Sequence, residues 1–275
     1  MRIAASDGIG IEFEVRRGTP GLPRLALLHS LGLDRSVWTD VVAQLGNSVQ
    51  VLTLDCRGHG QSSKPPGPYH IERFADDLAE VFDAISWESA FVAGMSMGGC
   101  VALQFAAKYP ERVLGLGLID TTAWYGPTAA HDWDERARKA KKDGIRSIVE
   151  FQQTRWFSDA FRAANPEVVA RTTDTLVRNG FRTGLLAYAD TCRMLGNVDL
   201  RAALPGIAVP TQIVVGSEDY ATPPEMARLM EKSIPNAHLE VIPGARHLTA
   251  IEAPDVIAGM LQLLIARGSA VTGSR

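Results

Sequence analysis

The stretch Gly94-Met95-Ser96-Met97-Gly98-Gly99 sits between an apolar run, Phe91-Val92-Ala93, and a helix-like run, Cys100 to Ala107. A serine held on a tight turn between a strand and a helix is how an exposed nucleophile is presented at the edge of a sheet. Gly94 and Gly98 stand where side chains would clash at such a crossing, and the helix start places free N–H groups near the hydroxyl. The six letters alone also suit a small residue in a glycine-rich loop. The rest of the chain has to supply a base, an acid and a sheet.

The sheet is legible as short apolar runs bounded by turn residues: Leu25 to His29, Val49 to Asp55, Phe91 to Gly94, Val113 to Asp120, Thr211 to Gly216 and His238 to Ile242. Their continuous hydrophobicity predicts strands covered on both faces. Between them, Ile71 to Ser86 carries Phe74, Leu78, Val81, Phe82 and Ile85 at helical spacing. Ala102 to Tyr109 and Pro224 to Ile234 also read as helices. Alternating strands and helices predict a mostly parallel sheet with helices on both faces, opened by an antiparallel hairpin over Arg2 to Ser6 and Ile9 to Arg16. From about Ala123 to Leu204 this rhythm stops. Four helical stretches follow, Ala130 to Asp143, Ile145 to Arg155, Pro166 to Arg178 and Arg182 to Leu195, rich in aromatic residues. The expected division is a sheet domain over 1–122 and 205–275 with a helical cap over 123–204. The tail Gly268 to Arg275 is expected to fray.

Composition narrows the class. The net charge of −3 is spread without blocks, which leaves no footprint for nucleic acid. No apolar run approaches the ~18 residues of a membrane span. The N-terminus lacks the apolar core of a signal peptide, and Cys56, Cys100 and Cys192 form no pair motif, so a cytoplasmic protein is expected. No metal-ligand spacing or dinucleotide fingerprint is present, so neither metal nor cofactor is expected.

A base and an acid can be placed. His247, in Pro243-Gly244-Ala245-Arg246-His247-Leu248, follows the last predicted strand at the carboxyl edge of the sheet, where open α/β folds bind ligands. Asp219 follows the preceding strand, and Asp120, at the end of the strand after the serine's helix, is the second candidate acid. The order Ser96, Asp219, His247 matches the nucleophile-elbow arrangement. Backbone N–H groups of Met97 and of Leu31, in His29-Ser30-Leu31-Gly32, are the expected oxyanion donors. Asp120 otherwise caps the turn at Thr121-Thr122, and Arg57 pairs with a buried carboxylate. In the cap, Arg155 is a candidate for binding a substrate carboxylate, and Trp124 and Trp133 for lining the pocket.

The ordered motifs His29 to Gly32, Asp55-Cys56-Arg57-Gly58-His59-Gly60-Gln61-Ser62, Gly94 to Gly98, the Asp219 loop and the His247 loop resemble the α/β-hydrolase superfamily over nearly the whole chain. Many members carry His-Gly where this chain has His29-Ser30. With Trp38, Pro65 to Tyr69, Arg155 to Phe161 and Asp199-Leu200-Arg201, the chain looks like the β-ketoadipate enol-lactonases. That resemblance implies a serine hydrolase acting without cofactor on a small lactone or ester. Carboxylesterases and carbon–carbon bond hydrolases share these motifs, and a non-catalytic ligand receptor on the same fold would retain them.

Overall fold

The computed structural model describes residues 1–181 and 183–272. Among the described residues, eight strands form one sheet: β1 Arg2–Ala4, β2 Gly10–Arg16, β3 Arg24–Leu28, β4 Gln50–Leu54, β5 Ala90–Met95, β6 Val113–Ile119, β7 Thr211–Gly216 and β8 Ala237–Ile242, in the order β1-β2-β4-β3-β5-β6-β7-β8. The first two pairings are antiparallel and the rest parallel. The parallel strands need helical crossovers, and the sequence supplies them.

The helices are α1 Thr39–Gln44, α2 Ile71–Ala84, α3 Met97–Lys108, α4 Ala129–Asp143, α5 Val149–Trp156, α6 Asp159–Ala164, α7 Pro166–Asn179, α8 Thr183–Gly196, α9 Pro224–Ser233, α10 Thr249–Glu252 and α11 Pro254–Thr272. The pair α2 and α3 and the pair α1 and α11 pack as the layers flanking the sheet. Residues Leu25 to Leu28, Val92, Ala93, Leu116, Leu118 and Val215 are sealed from solvent, as continuous apolar runs between two layers should be. The outermost strand, β8, departs from this expectation. Its burial alternates, because His238 and Glu240 share a face that is open to solvent.

Helices α4 to α8 fall between β6 and β7, with α4 packed along α8. Trp124 and Asp199 pair in an isolated antiparallel bridge, and Leu200 N donates to Ala123 O at 2.9 Å. The helical segment therefore leaves and rejoins the sheet through a two-strand neck. The stretch expected as one helix from Ile145 is a 3-10 turn over Ile145–Ile148 followed by α5. Arg182, expected to open α8, lies outside the described residues. The expected fraying from Gly268 does not begin there: α11 runs to Thr272, and residues 273–275 lie outside the described residues. Among the described residues, no helix is long and apolar enough to cross a membrane.

Candidate active site

Strand β5 runs between β3 and β6, so its carboxyl end opens at the middle of the sheet edge. Ser96 leaves it with φ 55° and ψ −117°, a conformation costing about 1–3 kcal/mol for a residue with a side chain. The surroundings hold it there. Ser96 N donates to Ile119 O at 2.9 Å, and Thr121 Oγ1 donates to Ser96 O at 2.7 Å. A Cβ at Gly94 would fall on the backbone of Gly98, and one at Gly98 on the Leu28 carbonyl. Only glycine lets strand and helix cross so closely.

Three side chains converge on this turn. His247 Nε2 lies 2.9 Å from Ser96 Oγ, and His247 Nδ1 lies 2.8 Å from Asp219 Oδ2. A carboxylate at Nδ1 requires the proton there, which leaves Nε2 free to accept from the serine hydroxyl. Asp219 is held from below: Ala221 N and Thr222 N donate to Oδ1 at 2.7 and 2.9 Å, and Thr222 Oγ1 donates to Oδ2 at 2.8 Å. Burial pushes the Asp219 carboxyl up, but the charge and hydrogen bond of His247 and these N–H donors outweigh it. The carboxyl stays below its usual range.

Asp120 is placed differently. It is fully buried and accepts from Gly216 N at 3.2 Å and from Thr249 N and Oγ1 at 2.8 and 2.7 Å. It thus ties β6 to the end of β7 and to the loop after His247, rather than capping the turn at Thr121-Thr122. Burial, then repulsion from Asp219, pushes its carboxyl well above the usual range.

The loop carrying Leu31 is braced by His29. Burial holds this imidazole neutral, its Nδ1 donating to Ser30 O at 2.8 Å and its Nε2 accepting from Cys56 N at 2.9 Å. The loop after β4 is fixed by Asp55, which accepts from Arg35 N at 2.9 Å and Gln61 N at 2.8 Å. Arg57 forks onto the buried Asp77 at 2.6 and 2.7 Å. Leu31 lines the cavity above Ser96. Met97 N is the first amide of α3, where no intrahelical acceptor exists.

That cavity encloses about 30 Å³ between the sheet edge and the helical segment. Ser96 and His247 form its floor, and Trp133, Arg136, Gln152, Arg155 and Trp156 its roof. Beyond Trp133, Arg136 and Arg155 lies an outer basin of about 550 Å³. Arg155 separates the two, its guanidinium donating to Tyr220 O and lying 5.2 Å from the Phe151 ring. Trp124 is elsewhere: it belongs to the neck, with the Arg201 guanidinium 3.7 Å from its ring centroid. Arg136 and Gln152 escaped the sequence reading. Arg136 stands three residues after Trp133 and four before the buried Ala140, on the inward stripe of α4, and that spacing was the available signal.

The loop bearing His247 is fastened to the helical segment from both sides. Arg246 Nη1 donates to Thr154 O and Phe157 O at 2.7 and 3.0 Å, and Leu248 N donates to Trp156 O at 3.1 Å. Glu252 accepts from Ser158 N at 2.9 Å, Ser158 Oγ at 2.7 Å and Arg246 N at 2.7 Å.

Comparison with known proteins agrees with this architecture. The family described as "alpha/beta hydrolase fold" matches residues 23–254. 3-Oxoadipate enol-lactonase 1 of Acinetobacter baylyi is 32% identical over 240 residues, covering 86% of each chain. The crystal structure of the enol-lactonase from Burkholderia xenovorans superposes with a TM-score of 0.90 at 30% identity, over 97% of this chain and all of that one. A thermophilic esterase from Thermogutta terrifontis, solved with malate bound, gives a TM-score of 0.88 at 29% identity over 98% of each chain.

Proposed function

The chain belongs to the α/β-hydrolase family as a hydrolase of the ester and lactone type, and on that premise we propose that it opens a small carboxylate-bearing lactone through an acyl-enzyme on Ser96. The observation that carries this reading is the continuous chain Ser96–His247–Asp219, with contacts of 2.9 and 2.8 Å. His247 Nε2 takes the serine proton as Oγ attacks the carbonyl. The N–H groups of Leu31 and Met97 receive the developing oxyanion, a pair of donors whose individual loss costs about 3 kcal/mol of transition-state stabilisation. Asp219 holds the imidazole tautomer and balances its charge. Collapse of the tetrahedral intermediate releases the enol or alcohol oxygen, protonated by His247. Water, activated by the same imidazole, then frees the acid from Ser96.

The helical segment serves as a cap in this proposal, with Trp133 walling the pocket and Arg155 at its mouth. A cavity of about 30 Å³ has room for a water or two and not for a lactone. Substrate entry therefore requires the contact between Arg155 and Tyr220 to part. An enol-lactone is favoured by the identity with enol-lactonases and by the cationic roof. The second reading, a carboxylesterase, is favoured by the likeness to the thermophilic esterase. A cytoplasmic location fits the three cysteines, which are free and buried.

Steady-state assays on an enol-lactone, simple aryl esters and a vinylogous diketone test the substrate. A kcat/KM for the enol-lactone at least 10-fold above the others supports the primary reading. Preference for aryl esters supports the second, and cleavage of the diketone alone overturns both.

A further inference from the structure

The loop after β3 is held from two sides, and one hold comes from the helical segment between β6 and β7. Asn179 is the last residue of α7 and is buried. Its Nδ2 donates to Gly32 O at 3.1 Å, and its Oδ1 accepts from Gly60 N, in the loop after β4, at 3.2 Å. A carbonyl accepts and an amide N–H donates, so these two partners fix which way the side-chain amide faces. The fit around it is close. A Cβ at Gly32 would fall 2.5 Å from Leu176 Cδ1, one turn earlier on α7, and 3.3 Å from the Tyr188 ring.

Two peptide units connect this side chain to the expected oxyanion donor on Leu31. Leu33 N donates to Ser30 O at 3.2 Å, and Gly32 lies between them at φ 75°, the left-handed conformation that the third position of a type II turn requires. The peptide joining Gly32 to Leu33 is thus held at both edges, its oxygen by Asn179 and its N–H by Ser30 O. Ser30 O belongs in turn to the peptide that carries Leu31 N–H. A trans peptide points its C=O and N–H in opposite directions, so whatever holds Ser30 O sets the direction of Leu31 N–H. His29 Nδ1 supplies one hold at 2.8 Å from within the loop. Leu33 N supplies the other, and its place depends on a side chain from α7.

We propose that Asn179 is a positioning residue for the oxyanion hole: by fixing the peptide between Gly32 and Leu33 it aims Leu31 N–H, so this donor is aligned only while α7 is seated on the loops at the sheet edge. This rests on the reading that Ser96 is the nucleophile and Leu31 N an oxyanion donor. Asn179 does not line the cavity over Ser96, and its effect travels through backbone hydrogen bonds.

Asn179→Asp isolates the contact, because a carboxylate of the same shape still accepts from Gly60 N but cannot donate to Gly32 O. The first measurement needs no turnover. In heteronuclear NMR of the full chain, the backbone amide signals of Leu31 and Leu33 are expected to move in Asn179→Asp while that of Met97, on α3, stays. In the second, 4-nitrophenyl acetate is compared with its thionoester, whose developing sulfur anion is a poor acceptor and draws little from the hole. Asn179→Asp is expected to lower kcat for the oxygen ester about 10–100-fold with KM within about 3-fold, and to lower the oxygen-to-sulfur ratio of kcat/KM about 10-fold, with thermal unfolding as the folding control. A merely structural role would lower both substrates together. Asn179→Ala removes both contacts without adding a charge, should give the same pattern, and decides the matter if Asn179→Asp does not fold. The proposal is overturned if the Leu31 amide does not move or Met97 moves as far, if both esters lose equally, or if the loss lies in KM. Wild-type turnover by Ser96→Ala, or no turnover of either ester by wild type, would count against the serine reading, while the amide signals would still decide whether Asn179 aims Leu31 N–H.

Discussion

Replacing Asp219 by Asn tests which carboxylate orients the base. Asp219 accepts four hydrogen bonds, from Ala221 N, Thr222 N, Thr222 Oγ1 and His247 Nδ1. An amide oxygen at the Oδ1 position keeps the first two. At the Oδ2 position an NH₂ group meets Thr222 Oγ1, which can reverse and accept, and His247 Nδ1, which can accept only by moving its proton to Nε2. An imidazole protonated at Nε2 donates toward Ser96 and cannot take its proton. The fold should therefore survive while kcat falls about 10³–10⁴-fold, equivalent to roughly 4–5.5 kcal/mol. Asp120→Asn provides the contrast. Its carboxyl is pushed well above the usual range by burial and by Asp219, so a neutral amide imitates the form it readily adopts. That variant should lose about 1–3 kcal/mol of stability from its mismatch with Gly216 N or Thr249, and less than about 10-fold in kcat. Initial rates on an aryl ester, with denaturant unfolding of each variant, decide between them. A loss of kcat in Asp120→Asn equal to or greater than that in Asp219→Asn would refute the assignment.

Three further outcomes follow from the geometry. Glu252→Ala strands Ser158 N, Ser158 Oγ and Arg246 N between the helical segment and the His247 loop, and should cost about 2–4 kcal/mol in urea unfolding together with a loss of kcat; an unchanged midpoint would count against this fastening. Gly98→Ala drives a Cβ into the backbone carbonyls of Leu28 and His29, and should destabilise by about 3 kcal/mol, whereas a wild-type midpoint would show that the crossing has slack. Burial, with the Lys64 charge nearby, pushes the His59 imidazole down to about 3 from an ordinary 6.5. Its contribution to stability is complete above the unfolded value and is lost as pH falls toward the folded one, on the order of 1 kcal/mol between about pH 7.5 and 5.5. Urea midpoints at those two values should show this loss, and His59→Gln should remove it.

The sequence revealed the sheet because strands sealed on both faces must be largely apolar, as Leu25 to Leu28 and Ile213 to Val215 are. It revealed the turn at Ser96 because the crossing of β5 and α3 tolerates only glycine at positions 94 and 98. The helical segment between β6 and β7 was legible as helices but less so as a pocket, because which residues face the sheet depends on how each helix is rolled upon it. Trp124 and Trp133 are both half-buried tryptophans of this region. Only the bridge to Asp199, 75 residues away, puts the first in the neck, and only the packing of α4 along α8 turns the second toward Ser96. Arg136 looks like any charge in a basic, acidic stretch until Tyr188, from another helix, fixes its direction.

Acylation of Ser96 is tested most directly by the mass of the protein quenched during turnover of an activated ester. Wild type should gain the mass of the acyl group, mapped to the peptide containing Ser96, and Ser96→Ala should gain none and lose at least about 10³-fold in kcat. Hydrolysis by Ser96→Ala at the wild-type rate, or an adduct on another residue, would contradict the account.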